Sequence, residues 1–150
     1  MIITAPPEEF VPESLKGRPA VGMAVLYVGD PDQGADAVGP LRALKPAVDL
    51  IQPMPYTAFQ AFLDARAPRG YRSYWRGEYL STLSNEAINA FVRNAPALTA
   101  AAVPFSQMIL FRIGQGVTAV PDEATAFSHR DAAYLFHPIT MWAIRPMTSD

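Results

Sequence analysis

The chain has 150 residues, half of them hydrophobic and 17% charged, with a formal net charge of -2 at pH 7. This composition argues against intrinsic disorder, and the lack of excess positive charge argues against nucleic acid or an anionic membrane as a partner. Cysteine is absent, which excludes disulfides and thiol chemistry and fits a reducing compartment, so we expect a cytoplasmic protein. No apolar run is long enough to span a bilayer, and the length fits one domain over residues 1–150.

Prolines and glycines divide the first half of the chain into short segments. Hydrophobic periodicity in these segments predicts strands at 2–5 and 20–28, a helix at 32–44, a strand at 49–52 and a helix between 55 and 68. Asp30 or Asp32 offers the N-cap of the first helix. The apolar run at 20–28 is nearly continuous, so it predicts a buried strand that pairs with the first one.

The second half of the chain predicts more strands than helices. In order, we expect a strand at 71–79, a helix at 85–94, a strand at 105–113, a turn at Gly114-Gln115-Gly116, a short strand at 117–120 and a last strand at 134–143. Ser84 is a good N-cap for the helix. The whole order predicts an α+β fold, with an antiparallel or mixed sheet and helices on one face. A flavodoxin-like fold is disfavoured, because no glycine-rich loop follows the first long strand.

The strand at 71–79 interleaves aromatic and charged side chains. Alternation along a strand puts Tyr74, Arg76 and Glu78 on one face and Trp75 and Tyr79 on the other. We expect Trp75 and Tyr79 to face the core. We expect the face with Tyr74, Arg76 and Glu78 to line a pocket or to contact a partner. The alternative is that Arg76 and Glu78 form a solvated ion pair of little energetic value.

The two histidines give no metal-site pattern. His129 and His137 are not at metal-ligand spacing, and no cysteine joins them. His137 is either a hydrogen-bonded core or edge residue, or a polar group aimed into a pocket. Pro138 has no N–H to give to a ladder, so it predicts an edge strand or a bulge here.

Five segments, in register along nearly the whole chain, resemble one known family. They are Tyr27-Val28-Gly29-Asp30 leading to Pro40-Leu41-Arg42; Pro53-Met54-Pro55-Tyr56-Thr57; Tyr74-Trp75-Arg76; Leu83-Ser84-Asn85-Glu86-Ala87-Ile88; and Ala124-Thr125-Ala126-Phe127-Ser128-His129-Arg130-Asp131-Ala132. Together they resemble the substrate-binding region of FAD-linked oxidases of the berberine-bridge-enzyme-like group.

The resemblance implies an antiparallel sheet whose helix-free face roofs a flavin, with substrate held between them and hydride passing to the flavin. FAD would be held mainly by a separate FAD-binding domain, N-terminal to this chain and absent from it. We therefore expect residues 1–150 to be a single, truncated substrate-binding domain that is inactive alone.

Carried over to this sequence, the resemblance implies a substrate-facing wall. Arg76 takes the place of the family's lysine and faces substrate with Tyr74; His137 stands where relatives often have asparagine; Gln107 and Phe111 join the wall. Arg76 cannot act as a base at neutral pH, and Phe111 replaces a carboxylate of some relatives, so the catalytic base stays unassigned.

The rival hypothesis is a standalone α+β module that binds a small molecule or forms a homodimer through the same sheet face. Both hypotheses predict that something covers this face, because a bare apolar and aromatic face is a docking surface. We expect a homo-oligomer if no flavin domain covers it.

Overall fold

The computed structural model describes residues 1–98 and 105–144. Within them, an antiparallel sheet of six strands packs with α-helices, which confirms the predicted α+β class. The strands are β1 (Ile2–Thr4), β2 (Pro19–Val21), β3 (Tyr71–Trp75), β4 (Glu78–Leu80), β5 (Gln107–Arg112) and β6 (Tyr134–Ala143). The helices are α1 (Pro31–Arg42), α2 (Tyr56–Ala61), α3 (Asn85–Leu98) and the single turn α4 (Gln115–Thr118), with 3₁₀ turns at Asp64–Arg66 and Asp122–Ala124.

The ten-residue strand β6 lies inside the sheet, although its proline predicted an edge or a bulge. The strand order is β2-β1-β5-β6-β3, and β4 also pairs with β6. Trp75 pairs with Ile139 and Glu78 with Phe136, so β3 and β4 keep one register and no residue is inserted between them. The ladder is interrupted where Pro138 has no N–H to donate, while the Arg76 amide still donates to the Pro138 carbonyl at 3.2 Å.

Helix α3 covers one face of the sheet. Ala95 and the half-buried Phe91 pack against Ile2, Met108 and Phe136, and the rings of Phe91 and Phe136 lie 4.8 Å apart. The Ser84 hydroxyl accepts from the Ala87 amide at 3.2 Å, as expected of the N-cap. We call this side of the sheet the α3 face.

The opposite side of the sheet, which we call the open face, carries a second apolar cluster. It consists of Ile109, Ile139 and Met141, and Tyr71 and Phe105 pack against it. The rings of Tyr71 and Phe105 meet each other edge to face, with their centres 5.0 Å apart. The sheet therefore has apolar residues on both sides, and what covers each side decides which of them are buried.

The predicted pairing of the strand at 20–28 with the first strand is confirmed, but that strand is much shorter than predicted, and the predicted strands at 49–52 and 117–120 are wrong. β2 ends at Val21 because β1 is only three residues long, and Met23 and Val28 beyond it are 64% and 84% exposed. At 49–52 the backbone is irregular; Asp49 is held by the Arg42 side chain at 2.8 Å, which lowers the pKa of Asp49. Residues 117–120 fall in and after α4 instead of forming a strand.

Ser106 generates a stability prediction. Its side chain is fully buried, and its hydroxyl accepts from the Met141 amide at 2.9 Å, which ties the start of β5 to β6. Ser106→Ala leaves that buried N–H without a partner, so we expect a loss of about 1–3 kcal/mol in the free energy of unfolding. Chemical denaturation measures it.

The matched control is Ser128→Ala, because Ser128 is exposed. We expect this change to stay within about 0.5 kcal/mol. Equal effects of the two substitutions would show that the Ser106 hydrogen bond does not stabilise the sheet.

Candidate functional site

Three of the five predicted site residues lie on the open face. In an antiparallel ladder, residues directly opposite each other point to the same side. Ile109 lies opposite His137, so Gln107 and Phe111, two positions either side of Ile109, share the face of His137. The structure thus brings Gln107, Phe111 and His137 to one surface.

The other two predicted residues, Tyr74 and Arg76, do not lie on that surface. Tyr74 pairs with Thr140 and Trp75 with Ile139, so Tyr74 lies on the α3 face and Trp75 on the open face. The prediction that Trp75 faces the core is wrong, because 60% of it is exposed. Tyr74 and Trp75 do point to opposite sides of the strand, as predicted, but Trp75 and not Tyr74 lies on the open face.

Arg76 and Glu78 form the solvated pair that the sequence left open as the alternative. Arg76 Nε lies 3.2 Å from Glu78 Oε1, and both side chains are more than half exposed. A hydrogen bond with Tyr74, and then the one with Glu78, raises the pKa of Arg76 above its ordinary value. Since Arg76 is always protonated at neutral pH, it offers positive charge but no base.

Trp75 takes the place that Tyr74 and Arg76 were expected to fill. Its ring lies 5.4 Å from that of His137 in an edge arrangement, and Phe111 lies 6.2 Å from His137 on the other side. Gly77 stands between Trp75 and Tyr79, where an added Cβ would lie 4.0 Å from His137 Nδ1. We call Trp75, Phe111 and His137 the aromatic cluster.

Arg130 is buried in the loop that carries Phe127 and His129. It is 8% exposed, donates to the Val117 carbonyl at 3.2 Å and to the Thr125 hydroxyl, and lies 5.1 Å from the Phe127 ring centre. The next residue back, His129, has φ of 62° and stacks on Tyr79 at 4.4 Å. The run Phe127–Asp131, uninformative by composition, therefore folds around a buried guanidinium.

Two features are absent from the described residues: a cluster of metal-ligating side chains and a helix able to cross a membrane. No group of three metal-ligating side chains comes together in residues 1–98 and 105–144. In the same part of the chain, no helix is both long enough and apolar enough to cross a membrane.

Much apolar surface is left uncovered. On the open face, Trp75 is 60% exposed and Phe111 is 48% exposed. Such a surface is typical of a chain that is covered by a ligand or a partner.

Comparison with known proteins gives no family. No protein-family profile matches the chain, and no curated protein matches it.

The buried Arg130 generates a second prediction. Arg130→Gln removes the donor to Val117 and the ring contact with Phe127, so we expect about 1–3 kcal/mol of lost stability. The His129 ring should also leave Tyr79, which proton NMR detects as loss of the ring-current shift of His129.

Arg93→Gln is the control, because Arg93 is exposed on α3 and carries the same charge. It should change neither stability nor the His129 signal. A His129 signal that is the same in Arg130→Gln as in the parent would show that Arg130 does not position the His129 ring.

Proposed function

We propose that this chain is the substrate-binding domain of an FAD-dependent oxidoreductase similar to the berberine-bridge-enzyme-like oxidases. Its open face closes over a flavin that a separate domain holds, and substrate lies between them. The proposal rests on the aromatic cluster of Trp75, Phe111 and His137 on the sheet face opposite α3, in which the Trp75 and Phe111 rings are exposed and His137 is half-buried. A surface of this kind suits a planar ring system.

The described residues fit the flavin ring but not its diphosphate. Trp75 and Phe111 offer ring faces and edges, and His137 offers a polar group between them. The N-terminus of α1 is already capped by the Asp30 carboxylate, which accepts from the Asp32 amide at 2.8 Å and would repel phosphate. FAD is therefore expected to be held mainly by the FAD-binding domain.

The roles of the chain's own residues follow from that placement. Trp75 and Phe111 exclude water from one side of the substrate, and Gln107 and His137 orient it through hydrogen bonds. The flavin, when bound, supplies the hydride acceptor. Tyr74 and Arg76, on the α3 face, have no part in this wall, and the catalytic base lies outside the proposal.

The alternative is a standalone module that binds a small molecule or forms a homodimer without enzymatic activity. One observation favours dimerisation: β3 and β4 form an outer edge of the sheet, with exposed Tyr74 and Trp75 beside unpaired backbone groups. Two such edges can continue one sheet across a two-fold axis.

A flavin titration tests the proposal. If the chain contacts the flavin ring but not the diphosphate, riboflavin and FAD should bind the purified chain weakly and with similar affinity. Quenching of flavin fluorescence measures both. Trp75→Ala should weaken the binding of each about two- to tenfold, as the loss of one aromatic contact of about 0.5–1.5 kcal/mol requires.

Tyr74→Ala is the matched control, because Tyr74 is the neighbouring exposed aromatic residue on the α3 face. It should leave flavin binding unchanged. If FAD binds far more tightly than riboflavin, this chain itself holds the FAD diphosphate, which contradicts the proposal. No flavin binding, together with a dimer mass in light scattering, would favour the alternative.

A further inference from the structure

A second site lies on the open face, next to the aromatic cluster. The 3₁₀ turn Asp64–Arg66 and the residues after it lie against the sheet and form one wall of a half-open cavity of about 340 Å³. Its lining includes apolar Trp75, Ile139 and Met141 from the sheet, and polar Arg66, Ser73 and Gln107. This size suits a small organic molecule.

Arg66 has unused donors in this cavity. Its Nε and Nη2 atoms are buried and have no hydrogen-bond partner, and it makes none of the ion pairs formed within residues 1–98 and 105–144. Burial lowers the pKa of Arg66 from its ordinary value, but a guanidinium stays charged at neutral pH. Arg66 is half-buried, and the two guanidinium N–H groups turned inward lack acceptors, which is costly, so this arrangement is expected to be completed by an anion.

Gln107 is unsatisfied in the same cavity. Its Oε1 atom is buried without a partner. Both orphaned groups line one space, so a single ligand can serve them. The side of a guanidinium formed by Nε and Nη2 carries two parallel N–H donors, which matches the two oxygens of a carboxylate.

We propose that this cavity binds a small carboxylic acid with a planar apolar body. The carboxylate accepts from Arg66 Nε and Nη2, a polar substituent meets Gln107, and the body lies against Trp75 and Ile139. This inference goes beyond the proposed function, because the cavity belongs to this chain alone and requires no flavin.

Tryptophan fluorescence reads out this cavity directly. The chain has two tryptophans, and Trp142→Phe leaves Trp75 as the only one. Sodium benzoate, titrated into that variant, should change the Trp75 emission in a saturable way. Benzamide, which has the same shape without the charge, should bind roughly ten- to hundredfold more weakly.

Arg66→Gln tests the cation, and Arg69→Gln, at an exposed arginine three residues away, is the matched control. The first should weaken benzoate binding at least tenfold, and the second should leave it unchanged. The thermal midpoint of Arg66→Gln should equal or exceed that of the parent, because an unpaired buried charge is removed.

Three outcomes would overturn the proposal: equal binding of benzoate and benzamide, unchanged binding in Arg66→Gln, or an equal loss in Arg69→Gln. If inorganic phosphate competes as strongly as benzoate, the site does not select a carboxylate, and the proposed ligand class is wrong. The comparison of benzoate with benzamide decides the matter even if Arg66→Gln fails to fold. Because no flavin is present, the result is independent of the flavin titration.

Discussion

The pairing of β6 with strands on both of its sides is the constraint on which the rest of the structure depends. One edge of β6 fixes the register of β5, and the other fixes β3 and β4. Residues from three distant stretches of the chain therefore share a face. Trp75 and Phe111 meet at His137 only because β6 lies between their strands.

Pro138 shows how strong this constraint is. A proline inside a sheet removes a ladder hydrogen bond and is normally confined to edges or bulges. Here the neighbouring strand is divided into β3 and β4, yet both parts keep the same register. The ladders on either side of Pro138, together with the bond from the Arg76 amide, hold the pairing across the gap. A single lost hydrogen bond is small compared with the pairing of a ten-residue strand.

The open face carries two different groups of side chains that share Trp75. At one end, the aromatic cluster presents exposed rings to a planar partner. At the other, Arg66 and Gln107 present buried polar atoms that lack partners. Trp75 takes part in both, so a ligand in the cavity would lie beside whatever covers the cluster. The proposed flavin and the proposed carboxylic acid would thus be neighbours on one surface.

Several elements could be predicted from the sequence because their signals are local. The strand at 134–143 is rich in apolar and aromatic residues over its full length, and Asp30 and Ser84 cap α1 and α3. The residues after Val21 and those at 49–52 and 117–120 have suitable composition but no neighbouring strand to pair with. A strand exists only in a ladder, and the partner comes from elsewhere in the chain.

The sequence by itself determined the α+β class, the alternation that separates Tyr74 from Trp75, and the shared face of Gln107 and Phe111. The tertiary structure alone decided which side of β3 meets the open face, since that depends on where α3 packs. It also decided that two guanidinium nitrogens of Arg66 are buried without a partner, because an arginine in a loop carries no sign of what folds over it. Periodicity is a property of neighbouring residues, whereas burial is a property of the contacts that distant segments make.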